Sequence, residues 1–214
     1  MGNLGDLSPR ALAALQECDL VIAEDTRVAL KLLSANKLSR TILRFDDHAS
    51  QATILKLLGR IAAGERICLV SDAGMPVISD PGAKLVDEAY AEGLPVDVVP
   101  GPSAVTAALG LSGFFGQKFT FLGYLSRSAS KQIKELSIFR ESTMPVVLFE
   151  SPHRVEKTLD TAFQALGPRR FAVCKEMTKL HQEVIRGRLG EPIAEKWMPK
   201  GEITIVIEGR KREN

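Results

Sequence analysis

ICLVSDAGMPVISDPG, residues 67 to 82, decides how the rest of this 214-residue chain is read. Its first four residues form a short apolar run of the kind that fills a buried strand. The remaining twelve, 71 to 82, mix glycine, proline and short polar side chains and lead into a helical pattern. Gly74 lets backbone approach a ligand closely, while Met75-Pro76 and Asp80-Pro81 hold the chain extended or in a turn. At the carboxyl end of a parallel strand, such a loop is where open α/β sheets bind ligands. Asp80 is also expected to cap the next helix, but a cap needs one residue and leaves the others unexplained.

Outward from this loop, short apolar runs alternate with helical patterns. Strands are expected at 20–23, 41–45, 67–70 and 96–99, with helices near 8–17, 26–35, 49–63, 81–91 and 102–110. That alternation predicts parallel strands joined by crossover helices. From Phe119 the pattern changes: apolar runs at 119–122, 145–149, 171–174, 183–186 and 203–207 enclose two helices, 130–140 and 152–166. A mixed sheet with antiparallel edges is expected there. The fold class is therefore α/β in two domains, a parallel-sheet domain over 1–112 and a mixed-sheet domain over 113–214, divided at SGFFGQK, residues 112–118. Ser8-Pro9, Asp80-Pro81 and Ser151-Pro152 each read as a helix start, a capping oxygen followed by proline at the first helical position.

Hydrophobic residues make up 45% of the chain, enough for a sizeable core, and the 6% aromatic share leaves aliphatic side chains to build it. The net charge of +2 is unevenly spread: residues 1–107 carry 10 Lys+Arg against 14 Asp+Glu, and residues 108–214 carry 18 against 12. A basic second half fits an anionic partner or a solvated basic surface. Cys18, Cys68 and Cys174 lie far apart without any CxxC, and read as buried thiols in a reducing compartment. No apolar run approaches the ~18 residues of a membrane span, MGNLGD lacks a signal-peptide core, and Asp6 spoils a myristoylation pattern. A cytoplasmic location is expected. No metal motif, Walker loop or GxSxG elbow is present, and GNLGD does not complete GxGxxG. Hydrolysis by a metal or a serine nucleophile is therefore not expected, and no metal site is assigned.

Four further stretches stand at strand exits. Pro100-Gly101-Pro102-Ser103-Ala104 is a turn whose small residues leave room for a flat ligand, or simply a rigid turn. Glu24-Asp25-Thr26-Arg27 holds more charge than a helix cap requires. Phe149 to Arg154, FESPHR, presents a carboxylate, an imidazole and a guanidinium around one helix start, and Lys175 to Glu183, KEMTKLHQE, packs lysines, glutamates and a histidine into one short stretch.

Taken in order and spacing, GNLGD, EDTR, SDAGMPVISDPG, PGPSA, FESPHR and KEMTKLHQEVIRG closely resemble the small-subunit ribosomal RNA methyltransferase I family of the tetrapyrrole-methylase-like (class III) methyltransferases. The resemblance covers essentially the whole chain. It implies methylation, with S-adenosylmethionine, of the ribose 2′-hydroxyl of a cytidine in the decoding centre of 16S rRNA in the small ribosomal subunit. It also implies two α/β domains with the methyl donor in the cleft between them, and a homodimer. Carried over by motif, the donor contacts fall on Ala73, Gly74, Met75, Ile78, Ser103, Ala104, Glu150 and Met177. Two departures stand out. A strand of the type YIVATPI that precedes GNLGD in the family is missing here, so a truncated or alternatively started chain is expected, and GYLSRSASKQ replaces a more basic GFLPRKSGxRK-like segment.

A ribose hydroxyl is a poor nucleophile, so a base is expected among Glu150, His153, Asp25, Glu176 and Lys175, with Glu150 or His153 preferred for their place at a strand exit. Arg27, Arg127, Lys131, Arg154, Lys175 and Lys179 are the expected phosphate contacts. Competing readings are a precorrin-type tetrapyrrole methylase and a cofactor-binding module without catalysis.

Overall fold

A computed structural model describes residues 2–193 and 200–211. The chain divides into two compact units, Gly2–Pro102 and Ser103–Asn214.

In the first unit, helix α1 (Pro9–Glu17) leads to β1 (Leu20–Ala23), α2 (Thr26–Ala35), β2 (Thr41–Arg44), α3 (Gln51–Ala62), β3 (Ile67–Val70) and α4 (Ala83–Ala91). The three strands form a parallel sheet in the order β2-β1-β3. Side chains on a strand alternate between faces, and β1 shows the result. Leu20 and Ile22 join Ile54, Leu57, Leu58 and Leu85 of α3 and α4 on one face. Val21 and Ala23 join Leu15, Ala29 and Leu33 of α1 and α2 on the other. A strand covered on both sides must be apolar throughout, as LVIA is. Because all three strands run the same way, Ala23, Arg44 and Val70 all release the chain at one edge.

Two local expectations fail here. Asp80 does not cap α4: the residue before that helix is Gly82, at φ +131° with no side-chain cap, and the helix starts at Ala83 rather than 81. The segment 96–99 forms no strand. A strand is defined by a hydrogen-bonded neighbour, and this segment pairs with none among the described residues. Val98 is 60% exposed, and Arg10 Nη2 holds its carbonyl at 2.8 Å.

The second unit contains α5 (Ala104–Ser112), β4 (Thr120–Tyr124), α6 (Ala129–Ser137), β5 (Val146–Glu150), α7 (Val155–Leu166), β6 (Arg170–Lys175), β7 (Glu183–Arg188) and β8 (Ile203–Ile207). The sheet order is β4-β5-β8-β6-β7. β4 and β5 are parallel, whereas β8 runs antiparallel to β5 and β6, and β7 antiparallel to β6. The sheet is mixed as expected, with an antiparallel edge at β7 and a parallel one at β4. Val146, Leu148, Phe171, Val173, Ile205 and Ile207 face Leu136, Leu159 and Ala162 of α6 and α7. Val147, Ala172, Cys174 and Val206 face Val105, Ala108 and Leu109 of α5. Helix α5 thus closes the second sheet, so the division falls at 102–103 rather than at the expected 112. β4, β5 and β6 share a direction and bring Tyr124, Glu150 and Lys175 to one edge. No helix among the described residues is long and apolar enough to cross a membrane.

Candidate functional site

The carboxyl edge of the first unit's sheet gathers the charged and glycine-rich exits. The Ser71 hydroxyl accepts from the Ala73 amide at 3.1 Å and donates to Asp80, pinning the two ends of the 71–82 loop. Between those ends the backbone is forced into the left-handed region at Gly74 (φ +97°), Val77 (+73°) and Ser79 (+61°). For β-branched Val77 this is a genuine outlier, and strain of about 1–3 kcal/mol per residue of this kind concentrates at ligand sites. The loop meets the 100–102 turn directly. A Cβ on Gly74 would sit 3.4 Å from the Pro102 carbonyl, and one on Gly101 would sit 3.4 Å from Met75 Sδ. The two turns expected to share a ligand therefore lie side by side, and Ser103 and Ala104 follow at once in the chain. Ile78 is exposed beside them.

Carboxylates surround this loop. The Asp25 amide donates to Asp72 Oδ1 at 3.3 Å, which joins the first strand's exit to the third's. Burial, then Asp72 and Asp80, push the Glu24 carboxyl above its ordinary value. Burial likewise raises Asp80, against the lowering effect of the Ser71 hydroxyl and with Asp72 and Asp47 adding to it. A concentration of negative charge that resists its own ionisation favours a cationic ligand. Asp25 serves a different purpose. It caps α2 through the Arg27 amide at 2.8 Å and pairs with the Arg27 guanidinium at 2.5 Å. Those bonds hold its carboxyl far below the usual range, which suits an anchor and makes it a weak base. Arg27 is highly exposed, but its charge is already matched by Asp25.

At the carboxyl edge of the second unit's sheet, Glu150 is fully enclosed, with 0% side-chain exposure. It accepts from the Ser151 amide at 2.7 Å and the Thr158 hydroxyl at 2.6 Å, and Arg154 Nε lies 3.4 Å away. Both Glu150 oxygens are thus engaged within the protein, and one of them faces Arg154. That arginine donates to the carbonyls of Leu125 and Ser126 at 3.2 and 3.0 Å, so it braces the loop that carries Arg127. His153 is exposed and makes no hydrogen bond to the described residues. Arg127 and Lys131 are likewise exposed without carboxylate partners among the described residues.

In the β6–β7 stretch the lysines find their partners within the protein. Lys175 pairs across the hairpin with Glu183 at 3.5 Å and is 12% exposed. Lys179 sits between Glu176 and Glu202 at 3.0 and 3.1 Å, so its charge is compensated within the protein. Glu176, at φ +47°, accepts the Glu202 amide at 2.8 Å; this bond, with Lys179, lowers its carboxyl despite the opposing effect of burial. Met177 is buried against α5 in the cluster that Ala104 also touches, which brings those two expected donor contacts together through packing. Ser103 opens α5 with its hydroxyl unused as a cap.

One residue escaped the sequence reading. Tyr124 ends β4 with its ring 63% exposed, tilted against Phe149 at 5.6 Å, and Phe149 in turn meets Phe121 edge-on at 4.9 Å. An aromatic at the close of an apolar run, beside a basic loop, was the available signal.

Comparison with known proteins shows the family and the fold. Residues 1–193 match the family of Tetrapyrrole (Corrin/Porphyrin) Methylases. A Ribosomal RNA small subunit methyltransferase I of Thermotoga maritima is 45% identical over 213 residues, 99% of this chain and 96% of that protein. One from Halalkalibacterium halodurans is 37% identical over 211 residues, 98% and 73% of the two. The crystal structure of the methyltransferase CobJ shares the fold, with a TM-score of 0.69 over 97% of this chain and 90% of that one at 17% identity.

Proposed function

Because this chain belongs to the tetrapyrrole methylase family, in its ribosomal RNA small subunit methyltransferase I branch, we propose that it methylates a cytidine 2′-hydroxyl in the decoding centre of 16S rRNA with S-adenosylmethionine. The observation that carries the donor assignment is the contact between the Gly74-Met75 turn and the Gly101-Pro102 turn at the carboxyl edge of a parallel sheet. Ala73, Gly74, Met75, Ile78, Ser103 and Ala104 would hold the donor, and the carboxylates of Glu24, Asp72 and Asp80 suit its positive charge. The bound donor supplies a methyl group on a cationic sulfur that also serves as the leaving group. The protein's main contribution is then alignment, and holding reactants in register is worth ~7–11 kcal/mol of barrier.

The second unit handles the acceptor. His153 is the exposed imidazole at the β5 exit and the proton acceptor for the ribose hydroxyl, a role worth ~10² to 10⁴ in rate. Glu150 is a positioning residue that fixes Arg154 and, through it, the 125–127 loop. Arg127 and Lys131 contact phosphate, and the Tyr124 ring offers a face on which a base can stack. The enzyme acts in the cytoplasm as a homodimer on this reading.

The test is transfer of labelled methyl from S-adenosylmethionine to isolated small ribosomal subunits, beside a precorrin acceptor and a reaction without acceptor. Label in 16S rRNA, resistant to alkaline cleavage at one cytidine, is the expected result. Label in the tetrapyrrole, on a base, or nowhere refutes the assignment. A His153→Ala variant should lose turnover while RNA affinity is retained.

A further inference from the structure

The opposite edge of the second unit's sheet carries a site that none of the expected functional residues enters. There, the start of β6, the ends of β7 and β8 and the segments 140–141 and 166–170 enclose a cavity of about 630 Å³. Its lining holds six cations, Arg140, Arg169, Arg170, Arg188, Arg210 and Lys211, against two carboxylates, Glu141 and Glu208. Both carboxylates are already engaged: Glu208 grips Arg170, with Nε at 2.7 Å, and Glu141 grips Arg210. Arg188 is held only loosely, 3.9 Å from Glu191, Arg140 is exposed without a carboxylate partner among the described residues, and Lys211, also exposed, acts on Glu208 through its field without forming an ion pair with it.

Arg169 makes the cavity more than a patch of surface charge. Its residue is 7% exposed, and its guanidinium donates to the carbonyls of Phe139 at 3.2 Å, Arg140, Ser142 at 3.5 Å and Glu208 at 3.4 Å. Those four bonds engage both terminal nitrogens while leaving its charge without a paired carboxylate. Burial accordingly lowers the readiness of this group to hold its proton, with Glu208 acting the other way. A buried positive floor ringed by long cationic side chains attracts anions by field as well as by contact. The cavity is too large for one tetrahedral anion.

We propose that this cavity is a phosphate-binding site that seats the sugar–phosphate backbone of RNA, remote from the residues that do the chemistry. It lies across the length of β6 from Lys175, about 17 Å at ~3.3 Å per residue. A second anchor at that distance would register the substrate by its backbone, leaving Tyr124, Arg127 and His153 to engage the target nucleotide. The proposal rests on RNA being the substrate.

The full chain carrying Arg140→Glu and Lys211→Glu tests it. Binding of a 16S rRNA fragment is followed by fluorescence anisotropy across a salt series, binding of inorganic pyrophosphate by calorimetry, and donor binding by calorimetry as a control on folding. Both positions are exposed, and Arg140→Ala with Lys211→Ala serves as a milder pair. The expected result is RNA affinity lower by on the order of tenfold, a log–log salt dependence shallower by ~1.5 for two lost phosphate contacts, and unchanged donor heat. RNA affinity and salt slope equal to wild type would overturn it. Loss of pyrophosphate binding with RNA binding intact would overturn it in favour of a small free anion. Failure of the wild-type chain to bind RNA at all would sink the proposed substrate along with it, whereas wild-type binding that the substitutions leave alone sinks only this site.

Discussion

The carboxyl edges of the two sheets are built by opposite means. In the first unit the backbone does the shaping: Gly74, Val77, Ser79 and Gly82 all lie at positive φ within nine residues, and the side chains there are mostly acids that repel one another. In the second unit side chains do it: Glu150 gathers an amide, a hydroxyl and a guanidinium, and Lys179 clasps two glutamates. Charge follows the same division, since residues 2–102 carry 10 Lys+Arg against 14 Asp+Glu and residues 103–214 carry 18 against 12. A strained acidic loop suits a small cationic donor, which is bound by close backbone approach. A braced basic edge suits a large anionic acceptor, which must be held at points far apart.

Removing the central brace should have the largest effect. Glu150→Ala leaves the Arg154 charge, the Ser151 amide and the Thr158 hydroxyl without their partner, and breaking a buried pair costs about 3–5 kcal/mol. Arg154 retains some exposure, so about 3 kcal/mol is expected, measured as a lowered urea midpoint for the second unit. A loss below about 1 kcal/mol would show that the network is ornamental. The corresponding test of the first unit is Gly82→Ala. Here φ is +131°, and the added methyl would run into the Leu69 side chain. A loss of about 2 kcal/mol is expected from backbone strain, accompanied by weaker donor binding as the 71–82 loop shifts. A stable variant with full donor affinity would break the contrast between the two edges.

Those two residues also mark how far the sequence could be read. Runs such as LVIA and ITIVI announce strands because they are covered on both faces, and their alternation with helical patterns gives the parallel first sheet. Segment 96–99 looks equally strand-like, but whether a run becomes a strand depends on a neighbour that a local pattern does not reveal. Asp80-Pro81 resembles Ser8-Pro9, yet only Ser8 caps its helix, with the Ala11 amide at 3.1 Å; the strained approach through Gly82 takes the place of the other cap. Glu150 was legible as special from its place at a strand exit, but its partners were not, because Thr158 lies eight residues on and Arg154 four, and both turn back to it only in the folded unit. Lys179 was read as a free cation because Glu202 lies far along the chain and arrives only through the pairing of β6 with β8. The cavity around Arg169 was hidden for the same reason: Pro168-Arg169-Arg170 and Arg210-Lys211 are separate basic runs until that pairing joins them.

A smaller effect separates the two edges by sign. Asp80 has a carboxyl raised by burial, so the native state binds its proton more tightly than the unfolded chain does. Stability linked to it is present below the ordinary carboxylate range and declines as pH rises through the range above about pH 4. Glu176 has a carboxyl lowered chiefly by the Glu202 amide, with Lys179 assisting, so its contribution is present at neutral pH and lost as pH falls through that range. Removing one charge from each should therefore act in opposite directions. Asp80→Asn, which can still accept from Ser71, is expected to stabilise the first unit at pH 7 and to lose that advantage at pH 4. Glu176→Gln is expected to destabilise the second unit at pH 7 and to approach wild type at pH 4. Hydrogen exchange of the β1–β3 and β5–β8 amides, corrected for intrinsic rate at each pH, reads the two units separately. Shifts of the same sign in both units would mean that the acids around the 71–82 loop are as well solvated as any on the surface, and the preference of that loop for a cation would lose its electrostatic basis.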